Sequence, residues 1–254
     1  MQIDKSKKFL KFFDKISEPR KIDFLVLHHI EAKSVDHAIA QLCEHQVSSH
    51  FLIDEAEKIF ELVDENDVAY HAGVSFWRGI DGLNKSSIGV EFINSSPFEK
   101  RFEAVQMSAG VELCKYLIKK YHIEAQNIVG HSDIAYSSET GLLDRKQDPS
   151  HLFDWKFLAE NGVGIFSEIT LNNSVDHALA KMGDKNNFVL LAKEKLKKFG
   201  YLVKNMSDEF DDEMQALTIV FNRRFSPEKF SNESDVWHLS SMTKLNNLLL
   251  KSNF

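Results

Sequence analysis

Three side chains in this sequence are of types that hold a divalent metal, and each stands where a rigid element could mount it. His28 ends the apolar run 22-IDFLVLH-28, His131 lies in 130-GHSDIA-135, and Asp148 lies in 145-RKQDP-149. A catalytic zinc takes three such ligands from the protein and keeps a fourth position for water. Chemistry at that position needs a proton acceptor. Glu91, a carboxylate within the otherwise apolar stretch 87-SIGVEFIN-94, is the candidate, because burying it there is costly unless it has a partner or a task. Attack on an amide carbonyl also builds negative charge on oxygen, which calls for a nearby cation or donor. Lys146, two residues before Asp148, falls on the same side as that residue if the segment is extended.

Each of these residues also has a plain structural reading. A histidine at a strand end is commonly an ordinary polar residue. Asp148-Pro149 is a turn signal. Alternation along the strand favours an outward-facing Glu91, and a lysine such as Lys146 is usually solvated. His29, next to His28, makes a register error of one position conceivable.

The elements that must position these residues can be read in outline. Residues 22–29 form a short, apolar run of the kind that makes a buried strand. Residues 34–46 predict a helix with Ser34 as N-cap and Ala38, Ile39, Leu42 and Cys43 at helical spacing. Residues 49–54 and 58–63 suggest two strands of a hairpin. Residues 64–85, with Gly73, Gly79 and Gly82, read as a long loop, and long loops within compact domains are often functional. Residues 86–94 predict a strand. Residues 100–122 predict a helix whose face includes Val105, Leu113, Leu117 and Ile118, with Lys119 and Lys120 at its C-terminal end. Residues 153–161 predict a short helix capped by Asp154. Strands alternating with helices make the first 165 or so residues α/β.

Bulk properties narrow the function. The chain has 254 residues, 43% hydrophobic and 27% charged, with a net charge of -7. That length fits one large domain, or one medium and one small. The negative charge argues against a general nucleic-acid surface. Cys43 and Cys114 read as two buried thiols, with a disulfide as the alternative. The basic N-terminus 1-MQIDKSKKFLKFFDK-15 lacks the apolar core and cleavage site of a secretory signal. No run approaches the ~18 apolar residues of a membrane span. The expectation is a cytoplasmic protein, or an envelope protein whose leader lies outside this sequence, and a monomer.

The blocks 26-VLH-28, 47-VSSHFLID-54, 70-YHAGVSFWRG-79, 83-LNKSSIGVEFIN-94, 121-YHI-123, 128-IVGHSDIA-135 and 145-RKQDP-149 occur in one order over residues 22–168. In that order they resemble the zinc-dependent N-acetylmuramoyl-L-alanine amidases, the amidase_2 family, and within it the AmpD and AmiD branch. The resemblance implies a mixed central β-sheet flanked by helices, the fold shared with peptidoglycan recognition proteins. It also implies a zinc (Zn²⁺) cleft with His28, His131 and Asp148 as ligands, Glu91 as catalytic carboxylate and Lys146 as the lysine of the KxDP motif. The substrate class it implies is peptidoglycan or a muropeptide, cut between N-acetylmuramic acid and L-alanine. A non-catalytic recognition protein and a zinc hydrolase of other amides are the alternatives. Two departures stand out: 136-YSSETGLLD-144 lengthens the gap between His131 and Asp148, and Ser150 and His151 follow the Asp-Pro pair.

Four further residues are candidates for substrate binding. His71 and Asn84 could line the cleft. Trp77 offers a flat ring for a sugar and Arg78 a fork for a carboxylate. Trp77 as a packed loop anchor and Arg78 as a surface ion pair are the structural alternatives. His50 reads as structural, His151 as a rim residue, and His37, His45, His122 and His238 as helix-surface or helix-end residues. After residue 168 the texture changes. Residues 169–186 read as a linker, and 187–254 as a small all-α domain with helices at 187–199, 209–224 and 235–251, the first ended by Gly200. This tail resembles the type 1 peptidoglycan-binding module, a plain three-helix bundle being the alternative. Residues 1–21 are an N-terminal extension.

Overall fold

The computed structural model describes residues 1–8, 11–172, 174–230 and 232–252. Positions 9 and 10 of the expected N-terminal extension, 173 in the expected linker, and 231, 253 and 254 in the expected helical domain lie outside the described residues. The chain divides into two compact units. The first comprises residues 1–73, 82–131 and 148–164; the second comprises residues 74–81, 132–147 and 165–254.

The first unit is built on a six-stranded mixed sheet. Its strands are β1 (Ile3–Asp4), β2 (Phe24–Glu31), β3 (Phe51–Ile53), β4 (Ile59–Glu61), β5 (Ser87–Asn94) and β6 (Ile128–Gly130), in the spatial order β1-β4-β3-β5-β2-β6. Only β3 and β4 pair antiparallel, as the hairpin that the sequence predicts; the other pairs are parallel. The two long strands, β2 and β5, occupy adjacent central positions. Leu25, Val26 and Leu27 are fully buried, and β5 is buried along its whole length. Parallel strands covered on both faces take this continuous apolar form. Glu91 therefore does not face solvent.

Two helices of this unit show why the local sequence folds as it does. Helix α1 (Val35–Glu44) starts where the Ser34 side chain accepts a hydrogen bond from the His37 N–H, and it buries Ala38 and Leu42. Ala38 and Leu42 join Leu52, Phe60, Leu62 and Ile93 in one apolar cluster. Cys43, expected to be buried, points the other way and is exposed; Cys114 is buried, and both thiols are free. Helix α2 (Ala104–Tyr121) begins at Ala104, so Val105 lies in its first turn and is half exposed rather than in the buried face, which starts at Gln106. The buried Gln106 amide donates to the Ile53 and Ile93 carbonyls and ties the helix to β3 and β5. His122 ends the helix in a left-handed conformation, its N–H bonded to the Ile118 carbonyl. A short helix, Trp155–Glu160, is capped by Asp154 as the sequence predicts.

Gly110 of α2 sits directly on the buried Phe92 ring. A Cβ there would lie 2.6 Å from Phe92 Cε1 and 2.7 Å from Cζ. That ring is itself held edge-on by Phe153 at 5.0 Å. Glycine to alanine within a helix normally gains about 1 kcal/mol, but overpacking a fixed core costs about 1–3 kcal/mol. Gly110→Ala should therefore lower the melting temperature by a few degrees. An unchanged or raised value by calorimetry would mean that the Phe92 ring gives way freely.

The second unit contains the three predicted helices, at Asn187–Phe199, Asp212–Phe225 and Leu239–Lys251. Asn186 and Asp211 cap the first two, and Gly200 ends the first at φ 144. Part of the expected linker is structured: Ala178–Ala180 pairs antiparallel with Trp237–His238. Segment 74–81, a small hairpin, belongs to this unit. Trp77 is fully buried there, its ring 4.9 Å from Tyr201 and 5.8 Å from Phe199. The lengthened 136–144 segment closes on itself through hydrogen bonds between Ser137 and Leu142 and from Gly141 to Ser137. Arg145 secures it by donating to the Tyr136 and Val74 carbonyls. Among the described residues no helix is long and apolar enough to cross a membrane.

Candidate metal centre

The centre of interest lies at the carboxyl halves of the parallel strands, where α/β sheets commonly place their ligands. His28 is the fifth of eight residues in β2, and Glu91 is the fifth of eight in β5. The two are register partners on adjacent strands, so their side chains emerge on the same face. His131 follows β6 immediately and opens a single helical turn, His131–Ile134. Asp148 begins the segment that returns to the first unit.

These placements bring three ligand atoms together. His28 Nδ1 lies 3.1 Å from His131 Nδ1 and 3.0 Å from Asp148 Oδ2, and His131 Nδ1 lies 3.1 Å from the same Asp148 oxygen. Among the described residues this trio is the group able to hold a metal ion. The proton positions fit that use. His131 Nε2 is 3.1 Å from the Ala72 carbonyl, which can only accept, so the ring proton sits on Nε2 and Nδ1 presents a lone pair. Burial alone pushes the Asp148 carboxyl up, but the His131 and His28 rings outweigh it and hold it well below the usual carboxylate range. An ionised carboxylate and a lone pair thus converge within about 3 Å. For metal–ligand distances of about 2.0–2.1 Å, a tetrahedral zinc needs ligand atoms ~3.3 Å apart. The observed triangle is close to that size, so the residues fit the ion.

The remaining candidates fall in different places. Glu91 is 7% exposed, and its Oε1 is 4.0 Å from His28 Nδ1, beside the trio rather than in it. His29 points away and accepts from the Ser150 N–H, which removes the one-position register error. Lys146 is exposed and belongs to the second unit. His71 is buried, and both its nitrogens are engaged: Nδ1 lies 3.1 Å from His28 Nε2, and Nε2 lies 3.1 Å from Ser87 Oγ. Burial, and then the neighbouring His28, His50 and His131 rings, keep it well below the ordinary histidine range. It leaves no nitrogen for substrate. Asn84 likewise turns inward, its Oδ1 accepting from the His71 and Ala72 N–H groups. The expectation that Trp77 stacks on a sugar is corrected by its complete burial, which favours the loop-anchor alternative. Arg78 is half-buried, and its N–H donates to the Gly200 carbonyl. His50 is structural, as the sequence suggests: it is fully buried, and burial, then the Arg20 charge, lower its pKa to about 3.

Sequence reasoning did not single out Ser87, Gly89 or the Ala72 carbonyl. One signal was present: a glycine within an apolar strand marks a close approach. A Cβ at Gly89 would stand 2.5 Å from His71 Cγ.

The family described as N-acetylmuramoyl-L-alanine amidase matches residues 18–151. The N-acetylmuramoyl-L-alanine amidase AmiD of Escherichia coli is 34% identical over 229 residues, covering 85% of this chain and 79% of AmiD. The 1,6-anhydro-N-acetylmuramyl-L-alanine amidase AmpD of Haemophilus influenzae is 32% identical over 164 residues, covering 57% of this chain and 84% of AmpD. The solved complex of E. coli AmiD with the substrate anhydro-N-acetylmuramic acid-L-Ala-D-γ-Glu-L-Lys has a TM-score of 0.72 to this fold at 31% identity, covering 94% of this chain and 92% of that one. With more than half its length matched by the family and most of it aligned with AmiD, the chain belongs to the N-acetylmuramoyl-L-alanine amidase family.

Proposed function

We propose that this protein is a zinc amidase that hydrolyses the bond between N-acetylmuramic acid and L-alanine in peptidoglycan or muropeptides. The observation that carries the reading is the triangle of His28, His131 and Asp148, three metal-binding atoms 3.0–3.1 Å apart. His28, His131 and Asp148 would hold a zinc ion, which would supply Lewis acidity toward the scissile carbonyl and toward water. Glu91, buried beside the trio, takes the proton from the attacking water and passes it to the leaving amine of L-alanine. Its position on β5, opposite His28, keeps that carboxylate at a fixed height in the site. The assignment of Lys146 to the developing oxyanion rests on its spacing from Asp148. Lys146→Met should lower turnover by about 10²–10³-fold with zinc retained; near-parental turnover would leave Lys146 a surface residue.

Product mass spectrometry on a purified muramoyl-tripeptide tests the reading. Zinc-dependent release of a free peptide beginning at L-alanine is the expected result, abolished by chelation and restored by zinc. An uncut substrate with zinc bound would make the protein a recognition module instead. The anhydro-sugar ligand of the AmiD complex makes an anhydromuramoyl-peptide the first substrate to try. The same proposal gives the helical segment 187–254 of a monomeric chain a wall-binding role, on the resemblance of its sequence to the type 1 peptidoglycan-binding module. Cosedimentation of the full chain with purified sacculi measures that role.

A further inference from the structure

We propose that the dipeptide His71–Ala72, anchored by Asn84 and Ser87, is the positioning element for both metal-binding histidines and fixes which nitrogen each presents to zinc. The proposal rests on the zinc reading above.

The argument is one of hydrogen-bond direction. The Leu83 carbonyl can only accept, so the Ser87 hydroxyl, 2.7 Å away, donates to it. That uses the only hydrogen on Ser87 Oγ. Toward His71 Nε2, 3.1 Å away, the oxygen must therefore accept, and His71 carries its proton on Nε2. A neutral imidazole has one N–H, so His71 Nδ1 is left as an acceptor. His28 Nε2, 3.1 Å from it, must then donate. The consequence is a bare His28 Nδ1, the atom that faces His131 and Asp148. The neighbouring residue does the same for the second histidine: the Ala72 carbonyl takes the His131 Nε2 proton and bares its Nδ1. Metal-bound histidines are commonly oriented by a partner on the far ring nitrogen. Here two consecutive residues supply both partners, one through a side chain and one through its backbone.

The surrounding sequence is arranged to hold this dipeptide. The Asn84 carboxamide oxygen accepts from the His71 N–H at 3.1 Å and the Ala72 N–H at 2.7 Å. Strand β5 presents Ser87, Gly89 and Glu91 at alternate positions, hence on one face. Ser87 anchors the His71 ring, Gly89 leaves the space in which it lies, and Glu91 is the carboxylate beside the trio. Arg20 supports the start of this strand from beneath, donating to the Ser87 and Asn84 carbonyls.

Two measurements test the proposal on the full chain. Long-range ¹H–¹⁵N correlation spectra of zinc-loaded, ¹⁵N-histidine-labelled protein read the tautomers directly. The expected result is a proton on Nε2 and none on Nδ1 for His28, His71 and His131; a proton on His71 Nδ1 would overturn the chain. Chelator competition gives the zinc affinity. Ser87→Ala and His71→Phe, the latter filling the ring's space without its nitrogens, should each weaken zinc binding about 10–100-fold. His71→Asn, which restores an acceptor toward His28, should recover part of the loss. Parental affinity in both Ser87→Ala and His71→Phe would reduce the dipeptide to packing. Failure of the parental chain to bind zinc would instead refute the zinc reading.

Discussion

His131→Ala should release zinc from the protein and take its activity down to that of the chelated parent. The reason lies in how few groups hold the ion. Structural zinc sites with four ligands bind with about 10–16 kcal/mol, so one ligand in such a set is worth roughly 3–4 kcal/mol, or ~10²–10³ in affinity. A site with three protein ligands has no spare to absorb that loss. His131 also fills a second role, since its Nε2–H satisfies the Ala72 carbonyl. Truncation removes that hydrogen bond, which costs about 0.5–1.5 kcal/mol of stability. The metal-free variant should thus melt below the metal-free parent, and metal analysis after dialysis should find it depleted. A variant that kept one zinc per chain and parental turnover would remove His131 from the ligand set.

How much of this was legible in the sequence differs from residue to residue. His28, His131 and Asp148 could be named because their types are restricted and their blocks keep a family order. What the sequence lacked was the triangle itself, because the three residues come from β2, the end of β6 and a returning segment separated by 103 and 17 positions. Glu91 shows the limit of periodicity. Alternation predicts a face only when one side of a sheet meets water, and β5 is buried throughout. Its register against β2, which pairs Glu91 with His28, decides the face instead. Trp77 was misread for a related reason. An aromatic side chain in a glycine-rich loop resembles a binding platform until the Phe199 and Tyr201 rings that cover it are known. Val105 shares an apolar type with Leu113 and Leu117, but the face that α2 buries runs through Gln106, Gly110, Leu113 and Leu117, and at about 100° per residue Val105 lies to one side of it. His71 and Asn84 were noticed as polar residues in a loop, but their partners are atoms of the protein. Polar residue type alone does not distinguish a group that waits for substrate from one that holds another residue still.

Glu91→Gln carries the other large expected effect, and it separates metal binding from proton transfer. Glutamine keeps the length and shape of the side chain, so the packing around β5 survives. It removes the negative charge and with it the ability to accept the water's proton. Glu91 Oε1 stands 4.0 Å from His28 Nδ1, outside the 3.0–3.1 Å triangle, so zinc should remain bound at parental stoichiometry. Turnover should fall by about 10²–10⁴-fold, the usual contribution of a positioned general base. The loss should appear in kcat with little change in KM, since the group acts on the transferring proton rather than on ground-state binding. Stability should hold or rise, because a neutral amide is cheaper to bury than a carboxylate. Loss of zinc in this variant would place Glu91 among the ligands. Near-parental kcat with zinc retained would mean that the proton leaves by another group, and the alignment of His28 with Glu91 across β2 and β5 would then be a feature of the fold rather than of the reaction.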